Sequence, residues 1–105
     1  MENQHRKITG YRELSQEDID LINDVKAKGA EFIALITKAD SIGAMRYNEM
    51  VATELASGEQ NAELTAELER IKAAEPWAWF KRAKFNAQTA VMFAVRAIAQ
   101  PEGEV

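Results

Sequence analysis

Residues 15–39 read SQEDIDLINDVKAKGAEFIALITKA, and this stretch decides the fold. Its apolar residues recur at intervals of three and four, which is the spacing of one face of an α-helix. They are Ile19, Ile22, Val25, Phe32, Ile33, Ile36 and Ala39. The stretch therefore predicts an amphipathic helix, and the residues on either side of it indicate where that helix begins and ends.

Ser15 marks the start of this helix. A serine before the first turn caps free backbone amides, and Asp18, three residues later, completes a weak capping-box pattern. Acids in the first turns also complement the positive end of the helix dipole. This explains Asp20 and Asp24, one turn apart, better than a metal site does. Residues 1–14 are predicted to form an extended N-terminal segment.

Two signals lie downstream of the helix start. At Asp40 to Gly43 the helix either ends or bends, after which Met45, Met50 and Leu55 continue a helical pattern. Ser57-Gly58 is the strongest turn signal, because glycine just past a periodic run supplies the left-handed residue that closes a helix. We therefore predict a first arm over 15–57 and a hairpin tip at Gly58.

The second arm is predicted over residues 59–100. Leu64, Leu68 and Ile71 mark an amphipathic stretch, and Pro76 then starts a new helix or kinks this one. Residues 101–105 are expected to be a loose tail. Two arms of nearly equal length, joined by a short turn, predict one all-α domain over 1–105: an antiparallel helical hairpin with kinked arms.

The core of such a hairpin would be small. The chain has 105 residues and 11.8 kDa, and 18 of its 49 apolar residues are alanine. Two helices cannot enclose a core by themselves, and the last helix is apolar around most of its circumference. We expect a compact homo-oligomer. The alternative is a monomer whose kinked arms fold back into a four-helix bundle.

The charge is unevenly distributed. The net charge is −4, which argues against a protein that coats DNA, RNA or an anionic membrane. Residues 1–12 nevertheless carry +2 and residues 76–101 carry +4, against −8 for residues 13–75. A small anionic ligand fits where the first and last segments meet, if they do meet.

Few residues are suited to catalysis. The chain has one histidine, His5, no cysteine and no glycine-rich phosphate loop. We expect no enzyme activity, no cofactor and no metal. The absence of cysteine and of any apolar run of about 20 residues suits a cytoplasmic protein that does not span a membrane.

Binding is better supported than catalysis. The basic segment from His5 to Leu14 holds one aromatic residue, Tyr11, and Lys26 follows in the first helix. The other interpretation is that Tyr11 and Leu14 pack the N-terminus onto the first helix while the cations are solvated.

The segment from Glu2 to Ile36 resembles the start of phage proteins known as anti-CBASS protein two. They sequester cyclic oligonucleotides and share a helical-hairpin domain with a sponge that acts against Thoeris immunity. The N-terminal resemblance rests on HRKI (5–8), GYRELS (10–15), EDIDL (17–21) and KAKGAE (26–31). Glu75-Pro76, Trp79 and VRAIAQP (95–101) resemble the closing helix of the family.

This resemblance implies a homohexamer that binds cyclic dinucleotides such as cyclic GMP-AMP without degrading them, in the cytoplasm of the infected bacterial host. Cyclic trinucleotides are bound by the family at separate places. By the same resemblance, Tyr11 stacks on a base and Lys26 meets a phosphate. Tyrosine offers a rigid stacking surface and lysine a mobile point charge, so both residue types suit these roles.

Two other functional classes remain open on the sequence. One is an oligomeric helical adaptor that docks a protein partner through an acidic tip around Glu63 and Glu67. The other is a phosphodiesterase that cleaves the nucleotide, for which the sequence offers no metal ligands.

Overall fold

A computed structural model of the protein describes residues 12–57 and 61–101. These residues form three helices, α1 (Gln16–Ser57), α2 (Ala62–Ala74) and α3 (Pro76–Ala99), with no strand among them. The all-α helical-hairpin prediction is confirmed. Residues 1–11, the predicted tip at Gly58 and residues 102–105 of the predicted tail lie outside the described residues.

The start of α1 follows the predicted capping box. The Ser15 hydroxyl accepts a hydrogen bond from the Asp18 amide at 3.1 Å, and the Asp18 carboxylate accepts one from the Ser15 amide at 3.2 Å. Each side chain thus satisfies a backbone donor of the other residue, which fixes the first turn of the helix.

The middle of α1 settles one of the open alternatives. The helix continues through Asp40 and Gly43 to Ser57, so an end at this point is wrong. A single glycine inside a helix costs only about 1 kcal/mol, and packing on both sides outweighs it. Ile36 is buried on the N-terminal side, while Tyr47 and Met50 are half-buried on the C-terminal side.

The break between α2 and α3 lies at the predicted proline. Glu75 adopts left-handed backbone angles (φ 51°, ψ 53°), and its amide donates to the Ile71 carbonyl at 3.0 Å, which closes α2. Pro76 then starts α3, where its fixed φ and missing amide are favourable. Gln100 (φ 49°) closes α3 in the same way, directly before Pro101.

The chain divides into two compact units. The first contains Met1–Ile33 and Asn86–Val105, and the second contains Ala34–Phe85. In the first unit the beginning of α1 packs against the end of α3. In the second, the end of α1 packs against α2 and the beginning of α3: Thr65 donates to Glu54 at 2.7 Å, and the Tyr47 and Trp77 rings meet edge to face. Within each unit the helices that pack together run antiparallel.

Little of the described chain is buried. Ile36, Leu68 and Ala87 are the buried hydrophobic residues among those described. Large apolar side chains are exposed instead, including Trp79, Phe85 and Phe93, the last of which is 66% exposed. In residues 12–57 and 61–101, no helix is both long and apolar enough to cross a lipid bilayer.

Candidate functional site

Arg12 joins the two basic segments of the sequence. Its Nη2 atom donates to the Ile98 carbonyl at 2.7 Å and to the Asp18 carboxylate at 3.1 Å. The expectation that the first and last segments meet is thereby confirmed within the first unit. Arg12 is consequently held by protein groups, and is not one of the solvated cations.

Both partners of Arg12 are hydrogen-bond acceptors that a positively charged donor stabilises. The last carbonyls of a helix have no partner within the helix, and Ile98 belongs to the last turn of α3. The pKa of Asp18 is lowered, chiefly by the hydrogen bond from the Ser15 amide, with the Ser15 hydroxyl and Arg12 adding to the effect. The carboxylate therefore stays charged beside Arg12 at neutral pH.

Lys26 lies in a groove between α1 and α3 of the first unit, which we call the cationic groove. Its volume is about 330 Å³. Besides Lys26 it is lined by Val91, Met92, Val95, Arg96 and Ala99. None of these lining residues is acidic, so the groove combines apolar walls with two positive charges, which suits a ligand that is apolar in one part and anionic in another.

The closeness of α1 and α3 at this groove depends on Gly29. A Cβ atom at position 29 would clash with Cγ2 of Val91, which is a wall of the groove and belongs to a side chain with little torsional freedom. Gly29 lies one turn after Lys26 on α1. The glycine therefore lets the helix that carries Lys26 approach the helix that carries Arg96.

The structure describes only some of the site residues predicted from the sequence, and it places them in different surroundings. Lys26 is exposed at the cationic groove, whereas Tyr11 lies outside the described residues. Leu14 is half-buried. Lys28, the other cation of this part of α1, lies 3.7 Å from Glu31 on the exposed side of the helix. Asp20, considered and set aside as a metal ligand, accepts a hydrogen bond from Gln16 at 2.9 Å.

Arg96 is the functional candidate that sequence reasoning did not single out. In the sequence it stands among four cations in a segment without acids and within the VRAIAQP stretch (95–101) that resembles the closing helix of the family, and neither pattern assigned it a role. Nothing in the spacing of the last helix distinguishes it from Lys81, Arg82 or Lys84. Only the register of α3 against α1 brings Arg96, and none of those three, to the groove of Lys26.

One known protein family matches most of the chain. The model of the Acb2/Tad1 hairpin domain matches residues 3–99 of the chain. The chain belongs to this family. The match includes Tyr11, Lys26 and Arg96, and it covers residues 43–74, which lie between the two stretches that carried the resemblance in the sequence.

Among curated proteins, the chain is similar to anti-CBASS protein 2 of Pseudomonas phage JBD67. The two are 50% identical over 109 residues, which cover 98% of this chain and 99% of the relative. The similarity therefore extends over the whole hairpin domain, and the name of the relative states that it acts against CBASS.

Proposed function

We propose that this protein binds and sequesters cyclic di- and oligonucleotide second messengers without cleaving them, and so blocks CBASS antiphage signalling in the cytoplasm of the infected bacterium. The observation that carries the proposal is the cationic groove, in which Lys26 and Arg96 lie beside apolar walls. The family membership and the name of the phage relative point to the same process.

The groove suits one half of a cyclic dinucleotide. Each half of that ligand carries one phosphate and one purine, which need a positive charge and an apolar or aromatic surface. Lys26 supplies a mobile point charge, and Arg96 a planar guanidinium able to hold two phosphate oxygens. Val91, Met92 and Val95 supply the apolar surface.

Tyr11 is proposed as the base-stacking residue. It precedes Arg12, which is anchored to the end of α3 and to Asp18. The stacking of one base on an aromatic ring contributes about 1–3 kcal/mol in single-strand binders. This anchoring supports a role in ligand binding for the segment that carries Tyr11. If that segment is only structural, Tyr11 is expected to pack against α1 instead.

The symmetry of the ligand favours an oligomer. A volume of about 330 Å³ lies at the lower end of the range of small-molecule sites, which run from roughly 300 to 1,000 Å³. A cyclic dinucleotide has an approximate twofold axis, and a twofold contact between chains presents two copies of every residue. Two grooves from two chains would hold the two halves of the cyclic dinucleotide, as part of the proposed homohexamer.

Separate binding of cyclic trinucleotides is also proposed, and it rests on the family resemblance alone.

Calorimetry with cyclic GMP-AMP tests the proposal. We expect tight binding by the natural protein and a large loss of affinity in Lys26→Ala and in Tyr11→Ala. Arg96→Ala should weaken binding as well, whereas Arg82→Ala, which removes the same charge from α3 outside the groove, should not. Arg82 stacks on Trp79, with 4.7 Å between its Cζ and the ring centre.

Two results would contradict the proposal. If the protein bound no cyclic di- or trinucleotide, the sponge function would be excluded. If the ligand disappeared during long incubation with divalent metal, the protein would be a phosphodiesterase and not a sponge.

A further inference from the structure

A second cavity lies within the second unit, and the proposed function makes no use of it. Its volume is about 320 Å³. It is lined by Asp40, Gly43, Ala44, Tyr47, Asn48, Ile71, Pro76, Trp77 and Phe80. We call it the aromatic cavity. Every lining residue belongs to the unit formed by Ala34–Phe85, so the cavity does not depend on the cationic groove.

Aromatic rings form much of the wall of this cavity. The Tyr47 and Trp77 rings are 6.3 Å apart between centroids and stand at 68° to one another. Phe80, one turn after Trp77 on α3, adds a third ring. The face of an aromatic ring carries negative electrostatic potential and attracts a cation that lies within about 6 Å of the ring centre. Rings at a steep angle offer such faces in more than one direction.

The charge of the aromatic cavity is also negative. Asp40 is the one charged residue among those that line it, and Asp40 as a whole residue is half-buried. It accepts no hydrogen bond and forms no ion pair within residues 12–57 and 61–101. A carboxylate at the wall of a mainly apolar cavity attracts a positively charged ligand and repels a phosphate.

Gly43 lines the cavity on the α1 side. A Cβ atom at this position would have no atom within 4 Å, in contrast to Gly29, where α3 is close. Close packing among α1, α2 and α3 therefore does not require this glycine.

From these observations we infer that the aromatic cavity is a binding site for a small organic cation, an alkylated ammonium compound held by the rings of Tyr47, Trp77 and Phe80 and by the carboxylate of Asp40. Three rings and one carboxylate around a mainly apolar space satisfy both halves of such a ligand. The alkyl groups contact the rings, and the positive charge is balanced by Asp40. The site has the opposite charge preference to the cationic groove.

Choline and its neutral carbon analogue, 3,3-dimethylbutan-1-ol, test this inference, because they have nearly the same shape and differ in charge. Binding is followed by the fluorescence of Trp77 in a Trp79→Phe background, which removes the other tryptophan. Trp79 does not line the cavity. We expect choline to bind in the millimolar range, at least about tenfold more tightly than the neutral analogue.

Variants locate the site. Asp40→Asn should weaken choline binding about fivefold or more and leave the neutral analogue unchanged. Asp24→Asn, which removes the same charge from an exposed position of α1 in the other unit, should have no effect. Tyr47→Leu should also weaken binding, and circular dichroism will show whether each variant keeps its helices.

Equal binding of choline and its neutral analogue would overturn the inference, as would no binding of choline by the folded protein. An Asp40→Asn variant that binds choline normally would overturn it too. In every case cyclic dinucleotide binding by Asp40→Asn is expected to be normal, so failure here is distinguishable from failure of the sponge proposal.

Discussion

Asp18 and Arg12 show how single residues fasten the base of the hairpin. Asp18 serves two partners at once, because its carboxylate accepts hydrogen bonds from the Ser15 amide and from Arg12. Arg12 in turn reaches the last turn of α3 through the Ile98 carbonyl. Through Arg12, the capping residue Asp18 is thereby connected to the last turn of α3.

The lowered pKa of Asp18 predicts a dependence of stability on pH. A carboxyl whose pKa is lower in the folded protein stabilises that state above its ordinary pKa, near 3.8, and the contribution is lost as pH falls through the folded value. Asp18→Asn should therefore lower the melting temperature at pH 7, and its difference from the natural protein should shrink at pH 3. Thermal melting followed by circular dichroism measures both.

Asp24→Asn is the control for this prediction, since Asp24 is exposed on the same helix. Its melting temperature should follow that of the natural protein at both pH values. If Asp18→Asn lowered the melting temperature equally at pH 7 and pH 3, the charge of Asp18 would not be the cause.

At the scale of elements, the close approach of α1 and α3 depends on one glycine. Gly29→Ala should lower the free energy of unfolding by about 1–3 kcal/mol, because the new methyl group overlaps Val91. Gly43→Ala is the matched change on the same helix, and it should raise that free energy by up to about 1 kcal/mol through helix propensity. Urea unfolding of both variants measures the difference.

A second substitution checks the physical reason. Val91→Ala in the Gly29→Ala background removes the overlapping methyl groups, so the two changes together should cost less than the sum of the single changes. Additive costs would show that Gly29 and Val91 do not interact.

The elements also show what a sequence can and cannot predict. The start at Ser15 and the break at Pro76 were predictable because caps and prolines act through local hydrogen bonds and torsion angles. At Gly43 the sequence left open whether the helix ends or bends, because the packing on both sides that carries the helix through this residue is not local. Asn61, which caps α2 by accepting from the Leu64 amide, was overlooked although asparagine before an apolar periodic run is a known signal.

The candidate site was predictable only in part. The role of Lys26 came from a resemblance, and the charge distribution indicated an anion site only on the condition that the two basic segments meet. The pairing of Lys26 with Arg96 depends on the register of α3 along α1 within the first unit, to which the close approach of Gly29 and Val91 contributes. The spacing of apolar residues along one helix does not determine its register against a second helix.

For the whole molecule, the exposed apolar surface of α3 predicts self-association. Phe93 and Met92 are 66% and 67% exposed, and few described residues are buried. Sedimentation velocity at micromolar concentration should therefore give a mass several times 11.8 kDa, and six times that mass if the proposed hexamer forms.

Phe93→Glu should reduce this assembly, since it places a charge on the apolar surface. Gln88→Glu adds the same charge at an exposed polar position of α3 and should leave assembly unchanged. A natural protein that sediments at 11.8 kDa would favour the monomeric bundle instead.

The central claim, that the protein holds a cyclic dinucleotide intact, has one direct measurement. The protein is incubated with cyclic GMP-AMP, freed of unbound ligand and heated until it unfolds, and the released nucleotide is identified by chromatography and mass. We predict recovery of unaltered cyclic GMP-AMP, about one molecule for every two chains because of the twofold ligand, and almost none from Lys26→Ala. Recovery of linear or hydrolysed nucleotide, or of no nucleotide from the natural protein, would contradict the claim.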